Sequence, residues 1–139
     1  MKRYNVSIVY NQTEDKVLMC YRTKEPYKDM YNFVGGRIED GEKDLDAAYR
    51  ELFEETGITK NDIELKLLIT YIYNINNIEL QVYVGKLKQE ITVVEEVNRL
   101  YWIAVDDNFF NLNKFAGEGN IGHMIEQVKI HYDAVLKSG

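Results

Sequence analysis

Residues 50–58 read "RELFEETGI", and this stretch decides how the rest of the chain is read. Glu51, Glu54 and Glu55 stand at spacings i, i+3 and i+4, neighbouring positions on a helix, with Cβ atoms roughly 5–6 Å apart. Gly57 is suited to stop such a helix in the left-handed conformation, so Glu54 and Glu55 fall in the last turn, where the helix dipole is already negative. Repulsion and misplaced charge together cost about 1 kcal/mol. At about 100° per residue, Leu45, Ala48, Tyr49, Leu52, Phe53 and Thr56 gather on one side as a core stripe, while Arg50 and the three glutamates gather on the other. Read alone, such a cluster is tolerated as solvated surface charge.

Outward from the helix, the chain reads as strands. Tyr4, Val6, Ile8 and Tyr10 alternate with mostly polar neighbours over 2–10, which predicts a strand with one buried face. "NQTED" follows as a turn, and "KVLMCY" (16–21) as a short buried strand. Residues 22–30 form a basic loop with Arg22, Lys24, Lys28 and the sole proline, Pro26. "IELKLLITYIY" and "NIELQVYVGKL" flank an Asn-rich break at 74–77 and predict a hairpin, and "RLYWIAV" a further strand. Ile121, Met124, Ile125, Val128, Tyr132, Val135 and Leu136 recur at three and four, a closing amphipathic helix with Asn120 as its N-cap. Strands on both sides of one helix, with another helix at the end, predict an α/β (α+β) fold: a mixed sheet packed between helices in a single domain over 1–139.

Composition narrows the partners. The net charge of −6 argues against non-specific nucleic-acid or membrane binding. One cysteine, Cys20, and the lack of any long apolar run point to a reducing, cytoplasmic setting. Cys20 reads as core, His123 and His131 as surface residues, and Tyr71, Tyr73 and Tyr83 as packing residues able to stack a base.

The spacing around the helix carries a resemblance. Upstream lies "GGRIEDGE" (35–42), so that Gly36, five residues, Glu42, seven residues and then "RELFEETGI" follow one another. This matches the Nudix box, G-x5-E-x7-R-E-U-x-E-E-x-G-U with U apolar, at every fixed position, a coincidence expected on the order of once per billion windows. The chain thus resembles Nudix hydrolases of the MutT-like kind, and the resemblance implies an α/β/α sandwich with a central mixed sheet. It also implies Mg²⁺ (or Mn²⁺) held by Glu51, Glu54 and Glu55 with the Gly35 carbonyl, oxygen donors that suit a hard cation. Glu42 and Arg50 would brace the loop against the helix and orient Glu51, and Glu51 or Glu54 would serve as general base. "VVEEVNRLYW" (93–102) offers Glu96 as a further ligand.

The implied reaction is hydrolysis of a nucleoside diphosphate derivative. "YNFVGGRIEDGE" (31–42) resembles the "WNGFGGK" versions in triphosphatases that clear oxidised purine nucleotides, which makes a nucleoside triphosphate of the 8-oxo-dGTP kind the expected substrate, cleaved to monophosphate and pyrophosphate. By that likeness Asn32 reads the base, Arg22, Gly36 and Arg37 contact phosphate, and Phe115 and Glu118 of "NKFAGEGN" (113–120) are loose counterparts of the aromatic and acidic residues those enzymes place after the late strand. The paired acids of those enzymes are missing, and Val34 stands where many relatives have proline. A non-catalytic nucleotide-binding module and an RNA 5′-pyrophosphohydrolase are the alternatives; the acidic charge weighs against an RNA or DNA polymer as partner. Family habit implies a monomer or homodimer.

Overall fold

The computed structural model describes residues 1–95 and 97–137. Its elements are β1 (Lys2–Tyr10), β2 (Lys16–Tyr21), β3 (Tyr31–Asn32), β4 (Val34–Arg37), α1 (Asp44–Thr56), β5 (Lys66–Tyr73), β6 (Ile78–Lys86), β7 (Arg99–Ala104), α2 (Asn120–Ile130) and α3 (Tyr132–Val135). The sheet is mixed. β1 runs parallel to β6, from Lys2 opposite Ile78 to Tyr10 opposite Lys86, and every other pairing is antiparallel. α1 contributes Ala48 and Leu52 to a core with Val9, Leu18 and Ile58, while α2 contributes Met124, Ile125 and Val128 and α3 Val135 to a second core with Ile8, Val82 and Phe115. Two cores on opposite sides of one sheet make the expected α/β/α sandwich. Among the described residues no helix is long and apolar enough to cross a membrane.

The expected strands at 2–10 and 16–21, the 66–86 hairpin and the strand at 99–104 all form. Three readings of the pattern need correction. β1 is buried on both faces: Asn5, Ser7 and Val9 are as hidden as Ile8 and Tyr10, because the strand lies inside the sheet with a helix on either side. The polar residues of its alternation therefore mark the face beneath α1, not the solvent. On α1 the buried positions are Ala47, Ala48, Leu52 and Thr56, whereas Leu45 and Phe53 are 44% and 54% exposed. The contact stripe is thus narrower and made of smaller residues than the wheel implies. The closing helix is two helices, broken at His131 (φ −105°, ψ 23°). Asn120 makes no cap; it is the first helical residue, and its side chain donates to the Tyr73 hydroxyl at 3.2 Å.

β3 and β4 have no clear signature in the pattern. Both are short; β3 exists because β2 pairs with it, Tyr21 facing Tyr31, and the glycine-bearing β4 because β1 pairs with 34–37, Asn5 facing Gly36 and Val6 facing Gly35. That pairing lays the glycine turn across the C-terminal half of α1.

Candidate active site

Gly57 ends α1 as its sequence position predicts, at φ 78°, with its N–H donating to the Phe53 carbonyl at 2.9 Å. Only a residue free of Cβ strain adopts this conformation cheaply. The helix end points its glutamates at Gly35 and Gly36. A Cβ on Gly36 would overlap the Glu51 carboxyl, and one on Gly35 would overlap the Asn5 carbonyl. These glycines let the loop backbone and the carboxylate share one small volume.

Arg50 organises the cluster. Its Nε and Nη2 donate to the two carboxylate oxygens of Glu42 at 2.7 and 2.9 Å, and Nη2 also reaches the Arg37 carbonyl at 3.0 Å. Nη1 lies 2.9 Å from Glu51 and 3.3 Å from Glu54. The fork of the guanidinium thus pins the 37–42 loop to the helix and partly neutralises the carboxylates. Hydrogen bonds from Arg50 hold the Glu42 carboxyl below the usual carboxylate range. Burial pushes Glu51 upward against the pull of Arg50. Glu55 departs furthest: burial, then the charge of Glu51, raise it to about 7, although the Gly35 backbone and Arg22 pull the other way.

A half-buried carboxyl poised near neutrality beside a second carboxyl gains from any cation that joins them. The all-oxygen donor set of Glu51, Glu54, Glu55 and the Gly35 carbonyl fits a hard divalent ion. Among the described residues no three acid, histidine or cysteine side chains are gathered into a ready cage. Arg50 lies between Glu51 and Glu54 instead, and exposed Glu54, held only by contacts of 3.3–3.4 Å, is the side chain free to swing.

A cleft of about 210 Å³ opens beside the glycines, lined by Asn5, Cys20, Arg22, Asn32, Gly36 and Glu55 among others. The structure therefore brings three expected substrate contacts, Arg22, Asn32 and Gly36, to one place with a box glutamate. Arg22 Nε donates to the Pro26 carbonyl at 2.7 Å, and Asn32 Oδ1 accepts from the Phe33 N–H at 2.8 Å. The Arg37 side chain is exposed on the outer side of the loop and is not part of the cleft wall. Phe115 departs from its expectation: its ring is 1% exposed, packed 5.0 Å from Phe109 and 6.2 Å from Tyr31, so it offers no face to a ligand. Glu118 lies in the loop before α2, where the Tyr27 hydroxyl donates to it at 2.8–2.9 Å. Glu96 lies outside the described residues. A larger groove of about 600 Å³, lined by Lys66, Lys86 and Lys88, sits at the far end of β1, five residues or about 17 Å from Asn5, and touches none of Glu51, Glu54 and Glu55.

Comparison with known proteins agrees with this geometry. A family model, NUDIX domain, matches residues 1–125. The chain belongs to that family. Among curated proteins it is similar to the RNA pyrophosphohydrolases of Psychrobacter sp. (strain PRwf-1) and Aliivibrio fischeri (strain MJ11), each 40% identical over 63 residues, 45% of this chain and 35% of the relative. The match thus spans about a third of the length of those relatives. Among solved structures it resembles a MutT from work on Aliivibrio salmonicida and Vibrio cholerae (TM-score 0.69, 18% identity, 93% of this chain and 98% of that one). It also resembles a C. elegans Ap4A hydrolase (TM-score 0.73, 16% identity, 95% and 98%) and the NUDIX domain of Shewanella oneidensis NrtR with ADP-ribose (TM-score 0.72, 15% identity, 94% and 87%). At these identities the structures establish the Nudix fold alone.

Several cleft residues of this Nudix chain lie outside the sequence reading of the site, Asn5 and Cys20 among them. Burial and the charge of Glu55 raise the Cys20 thiol to about 11, which fits the inert role expected for it. Asn5 had no signal of its own, standing among the polar residues that alternate with Tyr4, Val6 and Ile8.

Proposed function

We propose that the chain is a Mg²⁺-dependent pyrophosphohydrolase that cleaves the phosphoanhydride of a small nucleoside triphosphate, giving nucleoside monophosphate and pyrophosphate. The observation that carries this reading is the meeting of Glu51 with Gly36 and of Glu55 with Gly35 beside a cleft that Arg22 and Asn32 also line, with Glu54 tied to the same cluster through Arg50. Glu51, Glu54, Glu55 and the Gly35 carbonyl would hold Mg²⁺, with Mn²⁺ as a substitute and Glu96 as a further ligand. When bound, the ion neutralises the anhydride and acidifies water.

The chain's own groups do the rest. Glu54, exposed and loosely held, accepts the proton of the attacking water, whose oxygen bonds to phosphorus as the bond between the α- and β-phosphates opens and pyrophosphate departs. Arg50 keeps Glu51 and the glycine turn in register through Glu42. Arg22 supplies positive charge to phosphate oxygens, and Asn32 presents a carboxamide to the base, with an oxidised purine as the preferred occupant; Arg37, outside the cleft wall, is given no phosphate contact.

The test is a nucleotide panel, including 8-oxo-dGTP, incubated with Mg²⁺ and analysed for products, beside the same panel with Glu54→Gln. Release of monophosphate and pyrophosphate by the wild type, with little from the variant, is the expected result. Equal turnover by the two proteins removes the role given to the carboxylate cluster. A second reading has a specific basis: the curated relatives at 40% identity are named RNA pyrophosphohydrolases. A short 5′-triphosphorylated RNA therefore belongs in the panel, and its preferential hydrolysis would replace the mononucleotide as substrate despite the acidic charge.

A further inference from the structure

Among the described residues, one buried side-chain polar atom has no hydrogen-bond partner, Nδ2 of Asn5. Asn5 is 1% exposed and lies between Gly36 of β4 and Gln81 of β6. Its Oδ1 accepts from the Gly36 N–H at 3.3 Å, a bond that only the oxygen end of the carboxamide can make, so the amide's orientation is assigned by its partner. The nitrogen is left over. Gln81, beside it, is fully used: Nε2 donates to Asp44 at 2.9 Å and Glu79 at 2.8 Å, and Oε1 accepts from the Tyr83 hydroxyl at 2.9 Å. Buried donors without acceptors are rare, and where they persist they mark a place where stability has been given up for something else.

Asn5 lines the cleft that holds Gly36, Arg22 and Glu55. The bond to Gly36 ties its amide to the glycine turn that carries the Glu51 carboxyl against its Cα. We propose that Asn5 is a positioning residue whose Nδ2 donates to a non-bridging phosphate oxygen of the bound anhydride. This rests on the reading of the cleft as an anhydride site. An anionic oxygen is the acceptor that suits this position, since a donor bonded to a charged acceptor gains about twice what a neutral pair does, and Arg22 adds positive charge to the same cleft. Asn5 thus supplies a neutral donor where a further lysine or arginine would compete with the cation for the glutamates.

The test uses the full-length protein, Mg²⁺ and the α,β-methylene analogues of GTP, ATP and CTP, with affinity measured by calorimetry and ligand-free stability by thermal melting. Asn5→Ala is expected to melt within a few degrees of the wild type, because it deletes the unsatisfied Nδ2 together with the long 3.3 Å bond to Gly36. It should bind all three analogues about tenfold more weakly, the loss of one hydrogen bond to a charged acceptor. Asn5→Asp keeps the oxygen for Gly36 but places negative charge against the ligand, and should bind more weakly still. A structural role predicts the reverse pattern, a lower melting temperature with unchanged affinity, and that result, or failure of Asn5→Ala to fold, overturns the proposal. Loss confined to one base would make Asn5 a base contact and overturn the phosphate assignment. A wild type that binds none of the analogues overturns both this inference and the function on which it rests, whereas a wild type that binds and a variant that binds equally well overturns this one alone.

Discussion

The two faces of the sheet are built on different rules. Beneath α2 and α3 the core is made of Ile8, Val82, Phe109, Phe115, Met124 and Ile125, with the Tyr10 hydroxyl as its one polar group of note. Beneath α1 lie the buried polar side chains of the described residues, Asn5, Ser7, Thr56 and Gln81. The same strand, β1, feeds both faces, Ile8 and Tyr10 to one and Asn5, Ser7 and Val9 to the other. Apolar burial stabilises at about 25 cal/mol per Å², while a polar group that finds no partner costs about 1–3 kcal/mol. The α2/α3 face therefore supplies stability, and the α1 face spends part of it to hold a carboxylate cluster and a polar cleft.

That contrast breaks if function and stability do not separate by face. The largest effect is expected at Glu54, where substitution by Gln should lower kcat by about 10²–10⁴ with little change in melting temperature, as for loss of a general base. A comparable loss of stability in calorimetry would show that the cluster holds the fold instead. Phe115→Ala is the mirror case. It should destabilise by about 3–5 kcal/mol, as deletion of a buried aromatic ring does, while turnover per folded molecule stays near wild type. A rise in KM with unchanged stability would return Phe115 to the substrate-stacking role that its sequence position suggests.

Arg50→Lys should fall between these. A lysine ammonium cannot span both oxygens of Glu42 while reaching Glu51, so kcat/KM should drop about tenfold or more, with only a few degrees lost in the melt. Wild-type kinetics for this variant would make the Arg50 fork irrelevant to the geometry of Glu51.

The smallest effect is a pH dependence. Glu55 titrates at about 7 in the fold against an ordinary 4.5, so the folded state keeps a proton that the unfolded chain has released. The stability associated with that proton is complete below about 4.5 and is lost as pH rises through about 7. Glu42 and Asp44, held low by arginine partners, act in the opposite sense and at lower pH, while Glu51, also raised by burial, acts in the same sense as Glu55, the group that departs furthest. In EDTA the melting temperature should decline as pH rises through about 7, and Glu55→Gln should flatten the decline. Mg²⁺ added at pH 8 should restore part of the loss, and a level profile for the wild type would sink the assignment.

Much of this was legible in the chain. The helix over the glutamates and its stop at Gly57 follow from local spacing, and the Arg50–Glu42 contact from the resemblance to the Nudix box; all three form as expected. The strand at 2–10 was found by period-2 alternation and the others by apolar, β-branched and aromatic content, but alternation cannot distinguish solvent from a second helix, so Asn5 looked exposed and is buried. Phe115, expected at the substrate by the family likeness, lies in a loop that folds it into the core.

The sequence by itself determined the carboxylate helix, its glycine end and the loop that precedes it, since helical periodicity and left-handed backbone stereochemistry are settled within a dozen or so residues. Only the tertiary structure decided that Arg50 divides its bonds among three glutamates, that Glu55 stays near neutrality and that Asn5 has an unspent donor. Those depend on what lies across a strand pairing thirty residues away, and burial, the term that sets each of them, exists only once both sides of the sheet are covered.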